Sequence, residues 1–249
     1  MNKLKLFSTQ MKKSTTFFLL ILTCFVFSQQ NIRVEYKLDL TIDEDLQSQI
    51  DNGTLGNFLL NSLEREIEIS DDLIFSLVIQ DTISRFYLSD MKNSVEDKME
   101  NEFLFYSSYG GEMFYFGNKV YSYNKYSQIY VYNDFDSNWN ISSETKTIND
   151  LVCYKATNMR TIVNPKGVFN FPVVAWFCPE IPHHVGPIGF CGLPGLIVQL
   201  KYKKATYSLS RILFQNDIKL DLSNLNSKPF VSFEENERKI LDSFQNLKE

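Results

Sequence analysis

Residues Trp176–Leu200 read WFCPEIPHHVGPIGFCGLPGLIVQL and hold four of the chain's seven prolines, four of its ten glycines and both histidines. Val173-Val174-Ala175 leads into Trp176 and Phe177, the β-branched and aromatic composition of a strand buried on at least one face. Pro179 and Pro182 remove backbone donors and fix φ, so that strand ends at or just after Cys178. Gly186-Pro187 marks a turn, and Gly189 leaves room for another change of direction. Leu193-Pro194-Gly195-Leu196 has the chemistry of a type II turn, with Pro194 second and Gly195 third, where positive φ is required. Leu196–Leu200 then resumes a strand, and the turn brings Leu193 and Leu196 together against the core. The stretch is therefore two apolar strands joined by a stiff, irregular connection.

Gly192-Leu193-Pro194-Gly195-Leu196-Ile197 spells the motif that names the GLPGLI family, which the chain resembles. Ala175-Trp176-Phe177, Glu180-Ile181-Pro182 and Gly186-Pro187 stand at the family's offsets upstream, and Cys153 with Lys155-Ala156-Thr157 is similar to its Cys-x-Lys-Ala-Thr segment. The resemblance spans about Cys153 to Leu200. It implies a secreted protein of a Gram-negative bacterium. Family members are described as of unknown function, so no catalytic or binding role is carried over. Trp176, Pro182, Gly186, Pro187 and the six motif residues enter as a structural motif. Cys178 stands where the family has a hydroxyl residue, which makes Cys178 and Cys191 features of this chain.

The connection also carries the chain's densest chemistry. Cys178, His183, His184 and Cys191 form a C-x4-H-H-x6-C cluster of thiolate and imidazole groups that suits zinc or copper. Against a metal, adjacent histidines on an extended chain point opposite ways, and the prolines restrict adjustment. A histidine-loop enzyme is the alternative reading. The primary expectation is a Cys178–Cys191 disulfide stapling the loop in an oxidising compartment. Cys153 is then buried as a small apolar residue, or paired with one of the two in place of the other. Phosphate loops, nucleophile elbows and H-E-x-x-H helices are missing from the sequence. No cofactor is expected.

At the other end, Lys12-Lys13, the apolar run Phe17–Phe27 and Val26-Phe27-Ser28 follow the order of a signal peptide, with cleavage expected after Ser28. Met11 would serve equally as initiator. Residues 1–28 hold four of the 25 basic residues and none of the 30 acids, so the mature chain carries 21 against 30, a net charge of −9. That argues against a nucleic-acid partner.

Ile32–Leu40 has apolar residues at every even position, a strand with one wet face. Leu55, Phe58, Leu59, Ser62, Leu63 and Ile67 recur at helical spacing, with Thr54 as N-cap. Phe75-Leu77-Ile79 and Ser84-Phe86-Leu88 alternate on either side of Asp81-Thr82, as antiparallel strands do. Lys92–Glu102 reads as an exposed loop. Fourteen aromatic residues fall between Phe103 and Trp139. They make either a ligand surface or ordinary cross-strand pairs. Gly117-Asn118 is a two-residue hairpin turn. Asn164-Pro165-Lys166-Gly167 fits a type I turn, and Leu151–Met159 and Thr206–Phe214 add strands. Ile240, Leu241, Phe244 and Leu247 share the face of a final helix, reached through the linker Asn224–Pro229.

These pieces predict an α+β protein, mainly antiparallel β. The expected architecture is a curved meandering sheet or open barrel of eight to ten strands enclosing a helix, like periplasmic lipoprotein carriers, with a C-terminal helix. Residues 29–222 form one β-rich domain, and residues 223–249 the linker and helix. The expected function is that of a non-enzymatic envelope protein in the periplasm or at the cell surface. It would bind an apolar ligand, or a partner such as an outer-membrane uptake-system protein, on its aromatic sheet.

Overall fold

The structure is a computed structural model that describes residues 31–91, 106–124, 127–136, 138–164, 167–214 and 220–246. The expected signal peptide, the 92–102 loop, Phe103, Phe105, Tyr126, Pro165, Lys166 and Leu247 lie outside the described residues, as do the side chains of Ile240, Leu241 and Phe244.

The first strand is the middle of the sheet. β1 (Ile32–Leu40) buries Ile32, Val34, Tyr36 and Leu38 on one face. On one side it pairs with β2 (Leu73–Gln80), on the other with β11 (Ala205–Phe214), both antiparallel. Two meanders leave from it. One runs through β2, β3 (Ile83–Met91), β4 (Met113–Phe116), β5 (Lys119–Asn124) and β6 (Ile129–Asp134). The other runs back from β11 through β10 (Leu196–Tyr202), β9 (Gly167–Cys178), β8 (Leu151–Asn164) and β7 (Asn140–Ile148). β12 (Phe230–Ser232) adds a short parallel edge to β6. The Gly117-Asn118 turn has φ of 57° and 58°, the left-handed pair that a type I′ hairpin requires.

Chain connectivity shows how far this open sheet, of twelve strands among the described residues, curls. β6 and β7 stand ten strand spacings apart, about 48 Å on a flat sheet at roughly 4.8 Å per strand. Yet only residues 135–139 join them, a reach of about 20 Å. The sheet must bend until its two ends face each other across a gap. Trp139 then donates from Nε1 to the Cys191 carbonyl (2.8 Å), and Asn158 from Nδ2 to Asp136 Oδ2 (2.8 Å).

Three pieces lie in the concave face. The first is helical: α1 (Glu44–Asp51), capped by the Asp43 carboxylate on the Leu46 N–H, and α2 (Asn57–Ser70). The second is the turn after residue 105, pinned because Glu66 of α2 accepts the N–H groups of Tyr106 and Ser107 at 2.9–3.0 Å. The third is the Pro/Gly connection between β9 and β10. Tyr115 of β4 donates to Gly186 O (2.6 Å) and accepts from the Gly189 N–H (3.0 Å), and where the connection enters β10, Tyr36 of β1 donates to Ile197 O (2.7 Å). Beyond them, α3 (Ser223–Ser227) and α4 (Phe233–Asn246) close the chain.

Several expectations shift. The helical segment is two helices, and Gly56 rather than Thr54 occupies the N-cap of α2; the Thr54 hydroxyl donates to Gln49 O instead. The buried face of α2 is Leu63, Glu66 and Ile69, while Phe58 is 79% and Ile67 40% exposed. A charged residue required inside rotates the helix away from its most apolar stripe. β7 and β12 carry no apolar alternation and were not expected as strands. β7 is an almost wholly exposed edge whose pairing comes from its hairpin with β8. The expected linker contains α3.

Candidate functional site

The Pro/Gly connection is built by close approach rather than by the expected turn type. Gly195 donates to Leu193 O (2.8 Å), a three-residue turn around Pro194, while the Leu196 N–H goes to Ile181 O (2.9 Å). The Leu193–Leu196 bond of a type II turn is therefore replaced. A Cβ on Gly195 would sit 2.3 Å from Cys178 O and 2.6 Å from Cys178 C, so glycine is required for lack of space. Gly192 has φ 90°, and its Cβ would meet Asp136 O at 2.3 Å. Gly186, Pro187, Leu193, Leu196 and Ile197 are buried, and Pro182, Gly192 and Pro194 are exposed. Buried Trp176 faces the other side of the sheet, with the Lys146 ammonium 4.1 Å from its ring centre.

The histidine–cysteine cluster does not assemble. His184 Nδ1 lies 2.6 Å from Leu193 O, Cys191 Sγ turns toward Gly189 O (3.7 Å), and Cys178 closes β9. Among the described residues no three His, Cys, Asp or Glu side chains converge as metal ligands. Burial, then the neighbouring His184, pushes His183 down, which disfavours a charged imidazole at neutral pH.

The expected Cys178–Cys191 disulfide is not formed; Cys153, Cys178 and Cys191 are buried, free thiols. The register of β8 on β9 carries Cys178 toward Cys153, one step past the Tyr154↔Phe177 pair, while Cys191 packs beside Asp136 and Trp139. Burial pushes Cys153 up to about 11 and Cys191 to about 12, and Tyr109 likewise to about 12. Tyr36, Tyr115 and Tyr207 are raised by the same cause. Groups whose folded pKa is raised contribute stability that is complete below their unfolded values of 9.0 and 10.0 and is lost as pH climbs through the folded ones. The melting temperature is therefore expected to hold steady up to about pH 9 and to fall steeply between about pH 9 and 12. Alkylation of the three thiols should require unfolding.

Beside the connection the concave face opens into a groove of about 1220 Å³. Its interior wall is apolar: Ile188, Phe190 and Tyr202 are buried, with Phe171 and Met113 beside them. Phe190 and Tyr202 meet edge-on with centroids 5.2 Å apart, and Phe171 meets Tyr202 at 6.3 Å. Exposed Arg160, Lys201 and Lys203 stand at the mouth. Lys204 pairs with Asp43, while Phe233 and Glu237 of α4 form the far rim. The groove is somewhat larger than the roughly 300–1,000 Å³ of small-molecule sites and shares their mainly apolar lining with a few polar groups.

The backbone is strained around this groove. Among the described residues, four positive-φ positions are neither Gly, Asn nor Asp, and three of them, Ser108 (59°), Ile188 (43°) and Lys203 (53°), line it. A β-branched residue such as Ile188 rarely adopts this conformation, and such strain tends to gather at functional sites.

The aromatic run 103–139 contributes little here. Phe114, Tyr115, Tyr121 and Tyr130 are buried, and Phe116 stacks on Tyr121 at 4.0 Å, so these rings serve mainly as core and cross-strand pairs. Tyr106 and Phe233 also line the groove, but its interior rings come from β9, the connection and β10, which the sequence reads as two strands and a stiff loop. One local signal pointed here. Lys201-Tyr202-Lys203-Lys204 places lysine at a hairpin position that ordinarily takes Gly or Asn.

Residues 166–199, from β9 into β10, match the model of a family described as "Protein of unknown function (Porph_ging)". No curated protein matches the chain. Among solved structures, the P21 crystal form of PNGF-II has a TM-score of 0.51 at 12% identity, over 86% of this chain and 34% of PNGF-II. Its C2 form scores 0.47 at 11% identity, over 82% and 31% of the two chains. An uncharacterized conserved protein from Thermus thermophilus scores 0.35 at 8% identity, over 82% and 91%. The chain thus spans about a third of the length of PNGF-II, and it is similar in fold to that protein.

Proposed function

We propose that this chain is a non-enzymatic, exported envelope protein of the GLPGLI type that binds an apolar ligand in its groove. The observation that carries this reading is the groove itself: about 1220 Å³ in volume, walled by Phe171, Phe190, Tyr202 and Ile188. Burying apolar ligand surface there would contribute about 25 cal/mol per Å² before the costs of association. Engagement of an envelope partner is a second reading. Val152, Tyr154, Met159, Val168 and Phe169 leave exposed apolar surface on β8 and β9, next to the open edge of β7.

N-phenyl-1-naphthylamine, an uncharged probe that fluoresces in apolar surroundings, tests the ligand reading. The protein is expected to bind it saturably. Met113→Trp, which fills the groove from β4, should abolish that binding while the melting temperature holds. Absence of saturable binding by the unaltered chain overturns the reading.

A further inference from the structure

The mouth and interior of the groove differ in chemistry, and the difference is directional. Phe190, Tyr202 and Ile188 are buried within, whereas Arg160, Lys201 and Lys203 are exposed at the opening. Among the described residues no carboxylate stands within ion-pair distance of these three cations. The acids on the lining are Asp43, held by Lys204, and Glu237 on the α4 rim, so positive charge is in excess.

Two of the cations lie over the apolar wall. The Lys203 ammonium is 4.6 Å from the Phe171 ring centre and 5.2 Å from that of Tyr202; the Arg160 guanidinium is 5.9 Å from Phe190. Neighbouring atoms strip part of the hydration from Lys203 and push its pKa down, and Arg160 adds repulsion. An anion placed between them offsets the repulsion and compensates the lost hydration by direct attraction. Lys203 also holds φ 53° at the start of a two-residue hairpin, where glycine would be unstrained. The chain keeps a cation there at the expense of backbone strain.

We propose that Arg160 and Lys203 are the anion-reading end of this groove, and that its ligand is an amphiphile with a carboxylate or phosphate head on an apolar body. The head sits at the mouth, accepting hydrogen bonds from the guanidinium and ammonium, and the body lies against Phe171, Phe190 and Tyr202. This rests on the reading of the groove as an apolar ligand site.

The test compares two probes that differ by one anionic group: 1-anilinonaphthalene-8-sulfonate and its uncharged parent N-phenyl-1-naphthylamine. The sulfonate is expected to bind about tenfold more tightly, the yield of one charge-assisted hydrogen bond. Arg160→Gln with Lys203→Gln should bring its affinity down to that of the parent and leave the parent's binding unchanged. Lys155→Gln, a lysine outside the groove, should alter neither. Lys203→Gly separates function from folding. It should keep or raise the melting temperature, because the strain is relieved, yet weaken sulfonate binding several-fold. Dodecanoate and dodecyl phosphate should both displace the sulfonate, dodecanol less well and inorganic phosphate alone not at all. The preferred fatty anion identifies the head group. Equal affinity for the two probes, sulfonate binding indifferent to both variants, or displacement by phosphate alone overturns the inference. Failure of both probes to bind instead overturns the apolar-site reading beneath it.

Discussion

Gly195→Val is expected to be among the most damaging single changes in the Pro/Gly connection, costing about 3 kcal/mol or more, the top of the overpacking range, because the clash is with fixed backbone. The Cβ position lies 2.3 Å from the carbonyl oxygen of Cys178, 2.6 Å from its carbon and 2.9 Å from Pro179 Cα. None of these atoms is the end of a flexible side chain. To admit even a methyl group, the end of β9 must move away from the start of β10, where Leu196 pairs with Cys178. The same movement would strain the Leu196 N–H bond to Ile181 O. A type II turn would have made this change a φ problem confined to one loop, whereas the observed packing couples it to two strands. Chemical denaturation checks it, read as a lower transition midpoint with unchanged slope. Gly195→Ala should already show most of the effect, because its added atom is the one that clashes. An alanine variant as stable as the parent would contradict this packing.

Leu193→Ala and Leu196→Ala are expected to cost about 2–5 kcal/mol each, the range for emptying a fully buried leucine site. Both side chains have no exposed surface and belong to the main core cluster with Tyr36, Phe86 and Tyr115. The rival idea, that these leucines are presented to a partner from an exposed loop, requires surface they do not have. Thermal melting separates the cases: a large drop in both variants marks core residues, and unchanged melting would contradict their place in the core. Pro194 is exposed and outside that cluster, so Pro194→Ala should cost only about 0.4–1 kcal/mol, mainly through the unfolded chain. The expected order places glycine level with or above the leucines, and proline well below.

What local chemistry determined is considerable. Alternation along Ile32–Leu40 and on either side of Asp81-Thr82, the Gly117-Asn118 turn, and the end of β9 at Cys178 were all legible, because each is set by residues adjacent in the chain. The antiparallel, meandering α+β class followed from strands joined by short turns. What only the tertiary structure decided depends on partners far away in sequence. Glu66 turns inward because the N–H groups of Tyr106 and Ser107 need an acceptor, and no periodicity announces that. β7 forms on a polar stretch because β8 offers it a ladder. Gly192 and Gly195 are required by the Asp136 and Cys178 carbonyls as well as by their own positive φ. The four Cys and His side chains that sequence spacing grouped are dispersed by the path of the connection. The groove joins Arg160, Phe171, Phe190 and Lys203, residues that share no motif: strand pairing sets β8, β9 and the β10–β11 turn side by side, and the curl of the sheet brings Met113 of β4 to the same space. Local order follows from neighbouring residues; a concave site is a property of how far the whole sheet bends, and that is decided by packing across it.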